Sequence, residues 1–243
     1  MRRRFFVSQF SGSTATLEGS AAHHLARVLR AEPGQLYELS DGQAVVVARV
    51  ERVRPNAVEF AVLESVAERR QRLDATLLIA VVKFDRFEWA LEKTTELGAG
   101  AIVPLAAARS EKALLSASPK RAARWERILL ESAQQSRCLR PPQLRPLVPP
   151  RQAFLDDRSA VRILMSERDG DPPMRRILEE RRDGSDAVAV RMSLAIGPEG
   201  GWTEEEFSQA AAAGFAPAAL GSNILRTETA VVAGLSAAHL YFD

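Results

Sequence analysis

Ile196-Gly197-Pro198-Glu199-Gly200-Gly201-Trp202-Thr203-Glu204-Glu205-Glu206 and Leu220-Gly221-Ser222-Asn223-Ile224-Leu225-Arg226-Thr227-Glu228-Thr229-Ala230 are two glycine-bearing turns near the C-terminus. Each follows a short apolar run, Leu194-Ala195-Ile196 and Ala218-Ala219-Leu220, and each leads into a helical pattern. Two strand-to-helix turns of this kind put their backbone amides on one edge of a sheet, where α/β proteins hold ligands. Thr203 stands at an N-cap position and Glu206 closes a capping box. Glu204, Glu205 and Glu206 then fill the first helical turn with negative charge, which suits the helix dipole but repels an anion. Neither the Gly-Lys-Ser/Thr ending of a P-loop nor a G-x-G-x-x-G is present. A ligand without phosphates, neutral or cationic, fits these turns better than a nucleotide. For either turn alone, a capped helix after a tight bend is the competing reading.

S-adenosylmethionine meets these terms, because adenine and ribose suit backbone hydrogen bonds and its sulfonium is positive. The composition sets few further limits. At 243 residues the chain suits one large domain or two small ones, and 46% hydrophobic with 26% charged residues is ordinary for a globular protein. The apolar stretch Phe5-Phe6-Val7 after the basic Met1-Arg2-Arg3-Arg4 is too short for a signal peptide. No segment reaches bilayer-spanning length, so the cytoplasm is the expected location and no membrane partner is expected. A single cysteine, Cys138, excludes an internal disulfide and a cysteine-rich zinc site.

Net charge is only +2, but its distribution is uneven. Arg109, Lys112, Lys120, Arg121, Arg124, Arg127, Arg137, Arg140 and Arg145 stand against Glu111, Glu126 and Glu131, an excess suited to a phosphate-facing surface. A solvated helix face is the bland alternative.

Residues 1–70 read as a small β-rich unit. Strand runs are expected at Arg4–Val7, Leu36–Leu39, Val45–Val50 and Val58–Leu63, with turns at Asp41-Gly42 and Pro33-Gly34. A helix is expected from Ala21 to about Arg30, capped by Ser20, with Leu25, Val28 and Leu29 on its apolar face and Arg27 and Arg30 on a wet side. His23 and His24 have no ligand-spaced partner and are rejected as metal or catalytic residues; His239 is read as structural.

Ser65–Asp74 reads as a linker. Beyond it, strands and helices alternate as in a parallel sheet with crossover helices. Strands are expected at Thr76–Val82, Ala101–Leu105, Val161–Met165 and Met192–Ile196. Helices are expected from an Asp85/Glu88 capping box to Leu97, from a Ser118 cap through Pro119 to about Ser136, at Met174–Arg182, and from about Thr229 to Tyr241.

Taken with the rest of the chain, the two turns resemble the cofactor loops of the SPOUT class of RNA methyltransferases, and most closely those of its ribosomal-RNA small-subunit methyltransferase E family. The resemblance also runs through His24-Leu25-Ala26-Arg27-Val28-Leu29-Arg30, through Glu92-Lys93-Thr94-Thr95-Glu96-Leu97-Gly98 with Ile102, Pro104, Arg109 and Ser110, and through Glu131 to Pro141. It implies an α/β SPOUT-type domain over residues 74–243, with a parallel sheet and a C-terminal trefoil knot, preceded over residues 1–70 by a small PUA-like β-barrel that binds RNA. Patterning could not have revealed the knot, since ordinary connections do not thread loops. The resemblance further implies a homodimer and methyl transfer from S-adenosylmethionine to N3 of a uracil in 16S rRNA of the small ribosomal subunit; from the cysteine and histidine spacing, no metal is expected.

By the same resemblance Gly197, Glu199, Gly200, Leu220, Gly221, Ile224, Leu225 and Arg226 form the cofactor pocket. Met165 and Ile196 join them as strand-end residues beside the turns, a place shared with plain core. Arg109 follows the strand ending at Leu105, so its loop opens at the same sheet edge. It is the leading candidate for contacting the uracil or its phosphate, against the alternative of a surface arginine in a basic segment. Glu228 and Glu199 are the candidate bases. Helix capping or pairing with Arg226 is an alternative for Glu228, and cofactor binding for Glu199. Gln135, Arg137 and Arg140, with Arg27 and Arg30, are the expected RNA contacts. The competing functions are ribose or tRNA-base methylation by a SPOUT relative, and a non-catalytic RNA-binding assembly factor.

Overall fold

The computed structural model describes residues 3–67, 71–182 and 189–242. Internal contacts divide the chain into two units, Met1–Arg70 with Leu130–Pro141, and Gln71–Leu129 with Pro142–Asp243.

In the first unit β1 (Arg4–Phe6), β2 (Phe10–Ser11), β3 (Thr14–Glu18), β4 (Leu36–Ser40), β5 (Val45–Arg54) and β6 (Ala57–Val66) form a sheet of order β1-β4-β5-β6-β3-β2. All its pairings are antiparallel except β1 with β4. Phe5, Leu17, Leu39, Val58 and Phe60 are fully or nearly fully buried in its core, with Leu25 from the helical segment between β3 and β4. That segment departs from the sequence expectation. The α-helical part, α1, is Gly19–His23, and its cap position is Glu18 rather than Ser20, with no side-chain cap bond. It passes into π-helical turns over His24–Val28. The wider turn changes the angular spacing of side chains, so Leu25 is buried while Val28, expected on the apolar face, is 62% exposed. Strands β2 and β3 were not expected, although Ala15 and Leu17 carry the alternating burial of a one-faced strand.

The second unit is built on an entirely parallel sheet. In chain order its elements are β7 (Leu73–Ala80), α2 (Phe84–Glu96), β8 (Ala101–Leu105), α3 (Lys112–Ala117), α4 (Ala122–Ser136), β9 (Gln143–Leu144), α5 (Pro150–Asp156), β10 (Val161–Met165), α6 (Met174–Arg182), β11 (Val190–Ile196), α7 (Glu204–Ala212), β12 (Ala216–Ala218) and α8 (Thr227–Phe242). The strand order is β12-β10-β11-β7-β8-β9. Helix α4 begins among the residues of this unit and ends among those of the first.

Alternate residues of β7 supply two cores, as a strand buried on both faces must. Leu77 and Ile79 join a cluster with residues of α2, α6 and α8, while Leu78 and Ala80 join one with α5 and α7. Helix α8 lies flush on β11, since a Cβ at Gly234 would stand 2.7 Å from a methyl carbon of Leu194.

Several local expectations fail for identifiable reasons. Ser65 and Val66 belong to β6, and Leu73 and Asp74 to β7, so the linker is shorter than read; its residues 68–70 lie outside those described. Asp85 and Glu88 form no capping box: α2 starts after Lys83 without a side-chain cap, and Glu88 instead accepts from Arg121 and Arg124. Ser118 donates to the carbonyl of Leu114, closing the unexpected helix α3 rather than capping α4, and a 3-10 turn over Ser118–Arg121 joins the two.

Candidate functional site

Because β10 lies between β11 and β12, the loops leaving the C-terminal ends of these three strands are neighbours. They enclose a cavity of about 250 Å³. Ser166–Asp171 line it from the loop after β10, Gly197–Glu199 with Gly201 and Trp202 from the loop after β11, and Ala219–Leu225 from the loop after β12; Met165, Ile196, Thr227 and Ala230 complete it. Ligands of parallel α/β sheets collect at this edge.

The lining is apolar and acidic. Glu167, Asp169, Asp171 and Glu199 contribute carboxylates, and one oxygen of Asp171 is buried with no hydrogen-bond partner among the described residues. Arg168 is the one arginine or lysine of the lining, and its guanidinium is engaged by Glu204 and lies over the Phe207 ring, 3.4 Å from its centroid. Such a chamber disfavours an anion and favours a cation.

The glycines serve different ends. At Gly197 a Cβ would meet the Trp202 indole at 3.0 Å. That ring is buried, and its Nε1–H donates to the Met165 carbonyl at 3.0 Å, fastening the loop after β11 to the end of β10. Gly200 lies against the side chain of Arg109, whose Nη1 donates to the Gly200 carbonyl at 2.6 Å. A Cβ at Gly221 would meet nothing within 4 Å, in a loop that lines the cavity.

Arg109 is held by its neighbours in the chain. The capping box of α7 forms as expected, Thr203 Oγ1 accepting from the Glu206 amide and Glu206 Oε2 from the Thr203 amide. Glu206 is buried, and its other oxygen accepts from the Ala108 amide at 2.8 Å. On the far side Ser110 Oγ donates to the Val81 carbonyl at 2.8 Å. Glu206, which closes the capping box of α7, thus also fixes the loop bearing Arg109.

An RNA methyltransferase domain model matches residues 69–239. Ribosomal RNA small subunit methyltransferase E of Synechocystis sp. is 35% identical over 94% of this chain and 73% of its own, and that of Bacillus subtilis 32% identical over 92% and 89%. The chain belongs to the ribosomal RNA small subunit methyltransferase E family. The Neisseria gonorrhoeae family protein, solved bound to S-adenosyl methionine, superposes with a TM-score of 0.83 at 29% identity over 98% of this chain and 96% of its own.

In this methyltransferase E family member, Met165, Ile196, Gly197, Glu199, Leu220, Gly221, Ile224 and Leu225 all line the cavity. Gly200 stands just outside it beneath Arg109, and Arg226 is exposed and outside the lining. Glu228 is also outside. Its Oε1 is 3.8 Å from Nε of Arg86, its Oε2 is buried with no hydrogen-bond partner among the described residues, and the alternative of pairing with Arg226 is not seen among the described contacts. Arg86 also pairs with Glu199, and Thr227 Oγ1 donates to the Gly197 carbonyl at 3.0 Å.

In the first unit Arg27, Arg30, Gln135 and Arg140 are exposed. Arg137 is not similarly free. It adopts φ 58°, and its Nη1 sits 3.6 Å from Glu38 Oε1. Sequence reasoning missed Trp202, which lay inside the quoted turn, and Arg86, which sits inside the stretch read as a capping box.

Proposed function

We propose that this chain transfers the methyl group of S-adenosylmethionine to N3 of a uracil in 16S rRNA of the small ribosomal subunit. The observation that carries the reading is the cavity: three adjacent strand-end loops, apolar and acidic, whose one arginine is already paired. A neutral nucleoside body with a positive sulfur and a positive amino group suits that lining, and the family contains a member solved with this molecule.

S-adenosylmethionine supplies an electrophilic methyl group. Met165, Ile196, Leu220 and Leu225 offer apolar surface to it, and the peptide groups of the Gly197 and Gly221 turns offer hydrogen bonds. Glu167, Asp169 and Asp171, one of whose oxygens has no hydrogen-bond partner among the described residues, supply the charge that selects a cation.

Uracil N3 carries a proton and becomes nucleophilic only as that proton leaves. Arg109 is outside the cavity lining and held beside its loop by the bond to the Gly200 carbonyl; to it we assign stabilisation of charge developing on a uracil carbonyl. Of the two carboxylates weighed for the proton, Glu199 lines the cavity and Glu228 does not. We therefore favour Glu199, directly or through water, and give Glu228 an anchoring role. Arg27, Arg30, Gln135 and Arg140 serve as RNA contacts, and Arg137 supports their surface through Glu38. The proposal takes the rest of the family architecture with it: a PUA-like barrel for the first unit, a trefoil knot among the C-terminal loops, a homodimer, and work in the cytoplasm.

The decisive experiment incubates the protein with labelled S-adenosylmethionine and small subunits lacking the modification, then digests the RNA to nucleosides. Label on a uracil base, mapped to one position, is the expected result. Label on ribose, or transfer to tRNA instead, would move the chain to another SPOUT activity. A protein that binds the subunit but not S-adenosylmethionine would be an assembly factor. Gly221→Val should abolish calorimetric S-adenosylmethionine binding by filling the open approach at that backbone.

A further inference from the structure

We infer that Arg86 is a positioning residue whose guanidinium couples the two glycine turns, making opposite walls of the cavity one unit. The inference rests on the reading of that cavity as the S-adenosylmethionine site.

Arg86 lies in the first turn of α2, an element that contributes nothing to the cavity lining. Its Nη1 pairs with Glu199 in the loop after β11, and its Nε faces Glu228 at 3.8 Å. Glu228 stands two residues beyond Arg226, where the second turn becomes α8. One cation therefore reaches the first turn directly and the second through the start of the helix that follows it.

Burial argues that this is more than a surface ion pair. The side chain of Glu228 is only 16% exposed, and Arg86 is its one ion-pair partner among the described residues. A carboxylate so placed needs its cation, because removing one partner of a buried pair strands the other charge. The geometry also calls for arginine. Two carboxylates are met by nitrogens on different parts of one rigid fork, which a lysine ammonium cannot reproduce. The remaining described tie between the first turn and α8 is the bond from Thr227 to the Gly197 carbonyl. Without Arg86 that single neutral hydrogen bond would have to hold the walls in register.

Calorimetric titration with S-adenosylmethionine tests this in the full-length protein. Arg86→Met should weaken binding about tenfold, the equivalent of one charge-assisted hydrogen bond, and Arg86→Lys should recover part of the loss. The KM for the small subunit should stay at the native value. The double variant Arg86→Met/Glu228→Gln removes the stranded carboxylate, so it should regain thermal stability without regaining affinity. Native-like affinity in Arg86→Met, or joint recovery of stability and affinity in the double variant, overturns the inference alone. A native protein that does not bind S-adenosylmethionine overturns the methyl-donor reading, and this inference with it.

Discussion

Each unit contains an arginine shared between partners, and the two clusters are built on opposite terms. In the first, every guanidinium nitrogen of Arg4 has a partner. Its Nε and Nη2 donate to Glu38 Oε2 at 3.2 and 3.1 Å, and its Nη1 donates to the carbonyls of Arg137 and Cys138 at 2.7 and 3.2 Å. Both side chains are nearly buried, at 4% and 9% exposure, and Arg137 reaches the other oxygen of Glu38. In the second, Arg86 and Glu199 are 27% and 44% exposed, and Glu228 keeps one oxygen without a hydrogen-bond partner among the described residues. A saturated cluster fixes one backbone arrangement. A half-open cluster that touches the cavity lining through Glu199 leaves its geometry open to a ligand bound there. The first belongs to scaffold, and the second is the cluster we assign to the ligand site.

The widest break between them comes from Arg4→Met. It leaves Glu38, among the described residues, to Arg137 alone and takes the donor from two part-buried carbonyls, and should cost about 3–5 kcal/mol of unfolding free energy. S-adenosylmethionine affinity should stay unchanged at a temperature where the variant is folded. Denaturant unfolding and calorimetry read the two quantities separately; a loss below about 1 kcal/mol, the scale of an exposed pair, would erase the distinction drawn here.

Arg109→Ala is expected next in size. Loss of one donor aimed at developing charge typically slows transfer about 10²- to 10³-fold, or about 2.7–4 kcal/mol. Single-turnover methylation should fall by that order while S-adenosylmethionine affinity changes far less. Near-normal transfer would remove Arg109 from the mechanism and leave its bond to Gly200 as its whole role.

The sequence foretold the cavity better than it foretold the charges around it. Strand-turn-helix spacing put both glycine turns on one sheet edge, and the Thr203/Glu206 box formed as written. Local chemistry determines such features. What stayed illegible depends on distant partners. Glu206 reaches back to Ala108, Glu88 turns to α4 and its approach, and Arg137 is taken by Glu38, none adjacent in sequence. Val28 escaped for another reason: the expectation assumed an α-helical period where the chain adopts π-helical turns.

A smaller effect sharpens the contrast without touching a charge. In Gly197→Ala the new methyl would press on the Trp202 ring at 3.0 Å. Moving that ring strains its bond to Met165 and the tie from Thr227, at about 1–3 kcal/mol for overpacking. Thermal melting measures the loss, and the indole fluorescence should shift with it. An unchanged spectrum and melting point would mean that the ring yields freely and does not fasten the loop.

Lys93 supplies the limiting case, a charge cluster on a helix surface. Its Nζ is 2.8 Å from carboxylates of both Glu92 and Glu96, and hydrogen bonds to those two raise its pKa above the ordinary 10.5. Because the folded-state pKa is the higher one, the associated stability is fully present below 10.5 and disappears as pH rises through the folded value. The lysine remains solvent-accessible beside two flexible carboxylates, so Lys93→Met should cost at most about 0.5 kcal/mol at neutral pH. Added salt should shrink even that, and raising the pH past the folded-state pKa should remove its electrostatic part. A cost comparable to that of Arg4→Met would show that proximity of charges, rather than burial and saturation, sets the strength of these clusters.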